Sequence, residues 1–449
     1  KHGSVCEDYD AIEAAVLAVG GWGDAYKNAV SRLVANLKNT PKGGAKGLIG
    51  PWIHKYPHFA KPNPIGFLQE AVRWWDHWLK DIDNGVENAP AMRQFVMDSE
   101  RPKPWYETRS GTWIADKTWP SKAIRTKKLA LTGERTLKAG KAKPFEFSVA
   151  SPADTGLDGG EYCAIYWGPE LAGDQRRDDA LSLTFDSAPL GEATDIVGGP
   201  VVRLRLKSDR PVAQIAVRLC DVYPDGASTR ITYGVLNLCH RDSHETPKKL
   251  KPGEWVDVAL RLDDIAWRAP AGNRLRLSIS PAYWPMVWPS PEPVTLTICE
   301  GSLELPIRPT ASEDEGSFEA PEAAAPWRIE TLRPASNQRR IERDVGTGIV
   351  KLTIEDDFGE NRDKDHGLVH GSRMRETWTI HPDDPLTATG EAWWEQNYSR
   401  GDWSTRLVTT TSMKADLKAF SVEGQVEAFE GHKTVFRRQY RESVPRGFL

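Results

Sequence analysis

The sequence predicts a mixed fold: a short α/β portion, then a long all-β remainder. Three observations carry this. Near the start, apolar runs alternate with a helix-spaced segment and end in Gly-rich loops. From about residue 89 the apolar period switches to two, with turn residues every ten or so positions, as in a β-sandwich. At 311–326 an acidic stretch rich in Ala, Glu and Pro, without periodicity, reads as a linker to a further alternating region, 327–449. A chain of 449 residues suits about three domains.

In the α/β portion, 1–88, the run at 15–19 leads into Gly20-Gly21-Trp22-Gly23-Asp24. The run at 47–49 leads into Gly50-Pro51-Trp52-Ile53-His54. Between them Val30, Leu33, Val34 and Leu37 fall at helical spacing. The unit reads strand, loop with Asp, helix, strand, loop with His. In a parallel sheet, loops at the carboxyl ends of neighbouring strands converge on one crevice. A second helix follows, with Asn63 as N-cap and Pro64 at its first position. Ile65, Leu68, Val72, Trp75 and Leu79 form one apolar stripe, widened by Trp74 and Trp78, that reads as core packing against the sheet. Asn84-Gly85 supplies the stop, and His77 reads as a surface or interface residue.

The segment 89–310 opens with strands at 92–97 and 105–113. Val202, Leu204 and Leu206 then alternate with Arg203, Arg205 and Lys207; Ile215, Val217 and Leu219 alternate with Gln214, Ala216 and Arg218. Pro224-Asp225-Gly226 is a turn, and 256–262 and 275–279 repeat the pattern. Beyond the linker, Gly346-Thr347-Gly348 joins a hairpin. Strands are read at 374–380, 387–397, 403–413, 420–429 and 434–442, as in an antiparallel sheet with one wet face.

Asp24 and His54, delivered in that order, match the last two members of a Ser…Asp…His triad. Asp24 also suits an N-cap for the helix starting near Tyr26, and His58 is a rival base. The two loops resemble the acid and base motifs of the cocaine esterase / Xaa-Pro dipeptidyl-peptidase family, the CocE/NonD hydrolases. Leu219 to Gly226 resembles that family's C-terminal jelly roll. The resemblance implies an α/β-hydrolase domain with an attached jelly roll, Asp24 orienting the imidazole and His54 acting as general base. It implies a small-molecule ester or peptide substrate, including peptides with penultimate proline.

No Gly-x-Ser-x-Gly occurs in the 449 residues; the nearest approach, Gly226-Ala227-Ser228, lies in a hairpin turn. The expectation is a C-terminal part of a longer serine hydrolase, with nucleophile and oxyanion donors upstream and this chain inactive alone. The rival reading is a non-catalytic β-module, carbohydrate-binding or assembly, with Asp24 and His54 too far apart to bond. A third is a hydrolase descendant that lost catalysis.

The net charge of −4 makes no case for a nucleic-acid or anionic-membrane partner, and no apolar run approaches a membrane span. A homo-oligomer stays open. Five scattered cysteines without Cys-x-x-Cys read as reduced and mostly buried, fitting a cytoplasmic setting. Cys239-His240-x-x-x-His244 and His366-x-x-x-His370 lack a second ligand pair for zinc. Asp174, Asp178 and Asp179 around Arg176-Arg177 read as a solvated turn rather than a calcium loop. No metal or cofactor is expected. Pro281 to Pro289, dense in aromatics, reads either as a pocket wall or as glue between the sandwich and the hydrolase portion.

Overall fold

The computed structural model describes residue 5 and residues 8–165, 168–310 and 316–449. Cys6 and part of the expected linker lie outside them. Strand β1 (Val16–Gly21) is followed by helix α1 (Lys27–Asn36) and strand β2 (Ala45–Gly50). The two strands pair in parallel, Val16 opposite Ala45 through Gly21 opposite Gly50. Val30 and Val34 of α1 are buried against them. Helix α2 (Phe67–Lys80) then leads to strand β3 (Met92–Asp98), parallel to β2, and strand β4 (Gly111–Asp116), antiparallel to β3.

The parallel strands run on into the β-rich region. The strand Ile265–Ala269 pairs with β3 through Trp267 opposite Met97. Among the described residues, sixteen strands join in one hydrogen-bonded network from β1 to Ser228–Asn237. Its core is one continuous cluster, including Leu48, Ile49, Phe185, Val217, Leu277 and Leu303. A second sheet of eight antiparallel strands runs from Ile329–Arg333 to Lys433–Pro445. Its hairpin turn at Gly346–Gly348 is as the sequence predicts, with Gly348 at φ +76°.

Five readings need correction. Helix α2 starts at Phe67, not at Pro64. Asn63 takes a left-handed φ of 56° and its Oδ1 accepts from the Arg109 backbone instead of capping. The helix ends at Lys80, with Asp81 left-handed, before Asn84-Gly85 is reached. The α2 stripe is the second correction. Ile65 and Trp74 are buried, but Leu68, Val72, Trp75 and Leu79 are exposed, Leu79 by 72%. The described chain packs only the Trp74 side of the helix.

Third, 105–110 is loop, and the strand begins at Gly111. The Arg109 and Ser110 amides are taken by Asn63 Oδ1 and Glu100 Oε1, both at 3.1 Å, not by a neighbouring strand. Fourth, Asp178 and Asp179 are no solvated turn. They lie buried on the short helix α3 (Arg176–Ala180), each 3.3 Å from the fully buried Arg218 guanidinium. The strand Gln214–Val222 is covered on both faces, so its alternation does not mark a wet side. Fifth, the aromatic loop seats on the eight-stranded sheet: Trp284 meets Trp378 at 5.9 Å and Trp288 meets Phe420 at 6.0 Å.

Candidate active site

The glycines of the two motif loops are set by contact between the loops. Trp22 N donates to Gly50 O at 2.9 Å and Gly23 N to Trp52 O at 2.8 Å. A Cβ at Gly21 would stand 2.1 Å from Trp52 O, and one at Gly50 would enter the Trp52 ring at 2.5 Å. Only glycine lets the backbones approach this closely. The two tryptophans pin the loops from below. Trp22 Nε1 donates to Phe95 O at 2.8 Å and Trp52 Nε1 to Asn63 O at 3.0 Å, with both rings buried.

This brings Asp24 and His54 together. Asp24 Oδ2 is 2.9 Å from His54 Nδ1, and Asp24 Oδ1 accepts from Tyr26 N at 2.9 Å. Asp24 is not the N-cap, a position that Tyr26 takes without a side-chain cap; its Oδ1 ties down the turn before α1 while Oδ2 faces the imidazole. The expectation of the non-catalytic rival, a pair too far apart to bond, is not met. Asp24 is buried, whereas the His54 side chain is 49% exposed. With Nδ1 donating to the carboxylate, Nε2 carries the lone pair on the exposed side, the tautomer a general base requires. Tyr26 lies against the ring at 5.7 Å between centroids.

Sequence reasoning missed the third wall. The segment after strand Phe147–Val149 passes over the loops, and Ala164 O accepts from His54 N at 2.8 Å. Cys163 on the same segment sits with Asp24 and His54 so that one ligand atom of each lies within 4.8 Å of the others. These three are the one metal-capable cluster among the described residues. Burial pushes the Cys163 thiol up, and the Asp24 carboxylate adds to this. No periodicity marks this segment, and Cys163 sits alone in the sequence; no local signal points to it.

Beside the loops lies a cavity of about 130 Å³, reached by Gly23 and Ile53 and walled by Trp105, Tyr106, Tyr162 and Trp267. Arg109, buried in the lining, lies over the Tyr106 ring at 4.2 Å and pairs with Glu100 at 3.6 Å. The other candidates stay structural. His58 is boxed by Tyr56, Phe59 and Phe67. His77 Nδ1 is 3.1 Å from Ile82 O. His240 lies tilted against His244 at 5.5 Å, and His370 lies flat on Trp327. Ser228 is buried, its hydroxyl donating to Asp179 Oδ2 at 2.8 Å.

Residues 84–322 match the X-Pro dipeptidyl-peptidase C-terminal non-catalytic domain, and residues 1–56 match the S15 family of X-Pro dipeptidyl-peptidases. The second match contains both Asp24 and His54. A putative serine esterase of Mycobacterium bovis is 26% identical over 306 residues, 61% of this chain and 46% of the relative. The cocaine esterase of a Rhodococcus species is 22% identical over 310 residues, 63% of this chain and 51% of the relative. The chain thus spans about half the length of these curated relatives. A crystal structure of a CocE/NonD family hydrolase from Staphylococcus aureus shares the fold, with TM-score 0.50 at 15% identity over 67% of this chain and 55% of that one. No helix among the described residues is long and apolar enough to cross a membrane. With residues 84–322, more than half of this chain, matching that C-terminal domain and the S15 match before it, this chain belongs to the family of the X-Pro dipeptidyl-peptidase C-terminal domain.

Proposed function

We propose that this chain carries the acid and base of a Ser-His-Asp hydrolase of esters or amides, and that preceding polypeptide contributes the serine. In this reading residues 1–88 close an α/β-hydrolase domain. Residues 89–310 form a jelly-roll sandwich, 311–326 a linker and 327–449 a further β-rich domain. The observation that carries the reading is the 2.9 Å contact between Asp24 Oδ2 and His54 Nδ1 at the carboxyl ends of adjacent parallel strands. Two features support it. β1 pairs only with β2 among the described residues, and α2 presents Leu68, Val72, Trp75 and Leu79 to solvent on the same unit. A larger parallel sheet with its helices would cover both.

The chemistry follows from the tautomer. His54 Nε2 takes the proton of the serine hydroxyl as its oxygen attacks the substrate carbonyl carbon. Asp24 stabilises the imidazolium that forms. The imidazolium passes the proton to the departing alcohol or amine, leaving an acyl-enzyme. Water, activated by the same nitrogen, then releases the acid and restores the serine. The aromatic cavity beside the loops suits an apolar acyl group or a proline ring. Acyl esters and peptides with penultimate proline are the substrate classes, in keeping with the names of the relatives. Without its serine, the 449-residue chain is inactive.

The test is turnover of p-nitrophenyl acyl esters and Xaa-Pro anilides by the longer protein. His54→Ala should lower kcat by about 10⁶-fold and Asp24→Asn by about 10⁴-fold. Wild-type turnover in the His54 variant would refute the assignment.

A further inference from the structure

We infer that the last strand of the eight-stranded sheet, Lys433–Pro445, is an interface between two copies of this chain. The copies pair antiparallel about a two-fold axis at Tyr440, and the two sheets join into one. The inference goes beyond the catalytic reading and does not depend on it. Among the described residues this strand pairs only with Ala419–Glu430, and all 13 of its residues are exposed. A long unpaired edge presents a row of free N–H and C=O groups that invites another strand.

Two independent features place the axis. The first is the backbone. The pairing with Ala419–Glu430 shifts between Ala428 and Phe429, which leaves Val435 as an extra, bulged residue. At the other end Pro445 has no N–H to give. The regular stretch between them, 436–444, has Tyr440 at its midpoint.

The second is charge. On one face Arg437 and Arg441 are answered within the sheet, by Glu427 at 3.4 Å and Glu423 at 3.6 Å. On the other face Arg438 and Glu442 stand opposite Val426 and Val422, with no ion pair among the described residues. Phe436, Tyr440 and Val444 share that face, each about half exposed. Antiparallel pairing centred on Tyr440 sets Arg438 against Glu442 of the second copy, twice over. It also sets Phe436 against Val444 and Tyr440 against Tyr440, while Gln439 meets Arg441 and Arg437 meets Ser443. Opposite charges and apolar pairs facing across strands stabilise a sheet, and like charges directly opposite destabilise it.

Neighbouring registers are penalised. A centre at Gln439 brings Arg437 against Arg441. A centre at Arg438 or Arg441 brings that arginine against its own copy, and one at Glu442 does the same with glutamate. Arginines on an edge also serve to refuse a neighbour. A guard, however, has no reason to carry unanswered charges of both signs at the one spacing that cancels them. Two-fold pairing of this kind closes on itself, because it uses up the same edge in both copies.

The experiment uses the 449-residue chain itself. Sedimentation equilibrium should give a concentration-dependent dimer. Arg438→Glu and Glu442→Arg each set two like pairs face to face. Either should raise the dimer dissociation constant about tenfold, and the double variant should recover it. Oxidative crosslinking reads the register and keeps the test open if a charge reversal fails to fold. In the paired edge residue 440 faces its own copy at about 5 Å between Cα atoms, within disulfide reach. Tyr440→Cys should therefore give a covalent dimer. Residue 439 lies about 8 Å from its copy, so Gln439→Cys should not. Three results would each overturn the inference: a single-chain mass at every concentration up to about 0.1 mM, single reversals that leave the dimer as tight as before, or a covalent dimer from Gln439→Cys rather than Tyr440→Cys. None of these readouts needs substrate, so a longer protein inactive on esters and Xaa-Pro anilides would sink the catalytic reading and leave this result standing.

Discussion

Gly21 and Gly50 show why the acid–base pair was legible. Their missing side chains are a necessity of backbone contact, and a necessity of that kind is written in adjacent residues. Gly21→Ala would drive a Cβ to 2.1 Å from Trp52 O. It should destabilise the chain by about 2–4 kcal/mol, measured by urea unfolding, and separate Asp24 from His54. Cys163 was not legible for the opposite reason: it reaches the site from 109 residues beyond His54, through loop geometry that leaves no periodic mark. Asp158 offers a test of electrostatics at the same scale. Burial, with Asp178 adding, pushes it up to about 6. Between its unfolded value, near 3.9, and about 6 the folded state holds a proton that the unfolded state has released. Stability from this group is complete below the unfolded value and is lost as pH rises through about 6. Asp158→Asn should flatten the stability profile across that window, as followed by thermal melts at stepped pH. An unaltered slope would contradict the shift.

Helix α2 separates what sequence pattern can and cannot tell. Its stripe identified a helix, and a helix is there, but the pattern could not say which body meets that face. In the described chain only Trp74 among its apolar side chains is buried, its ring tilted against Trp78 at 5.7 Å. Trp74→Ala should cost about 3–5 kcal/mol, whereas Leu79→Gln should fall within about 0.5 kcal/mol in this chain. In the longer protein the Leu79 change should become destabilising. Equal effects of Leu79→Gln in both would argue that no upstream body covers the helix. The strands were easier, because alternation survives wherever one face is wet, as at Val201–Ser208. It misled at Gln214–Val222, where α3 and the buried Arg218 fill the second face.

At the scale of the whole molecule, three regions converge on one segment. The β-rich region supplies residues 153–165 and 168–172, the motif loops lie under the first stretch, and the C-terminal sheet holds it from outside. Ala153 N donates to Pro382 O at 2.7 Å, Trp284 N to Thr155 O at 2.7 Å, and Trp284 packs on Trp378. The aromatic density of Pro281 to Pro289 was visible in sequence, but its partner was not, because an aromatic ring does not name the surface it meets. Trp284→Ala should destabilise the chain by about 3–5 kcal/mol and loosen the C-terminal sheet first, as read by hydrogen exchange at residues 350–380. The two sheets are therefore expected to unfold together in the wild type.

The central claim is that His54, held by Asp24, activates a serine lying before residue 1. The most direct measurement is labelling of the longer protein with a fluorophosphonate probe, which reacts only with an activated serine, followed by mass spectrometry of the labelled peptide. The account predicts one labelled serine, N-terminal to this chain, with labelling abolished in His54→Ala. Labelling that persists in the His54 variant, or a labelled serine within residues 1–449, would contradict it.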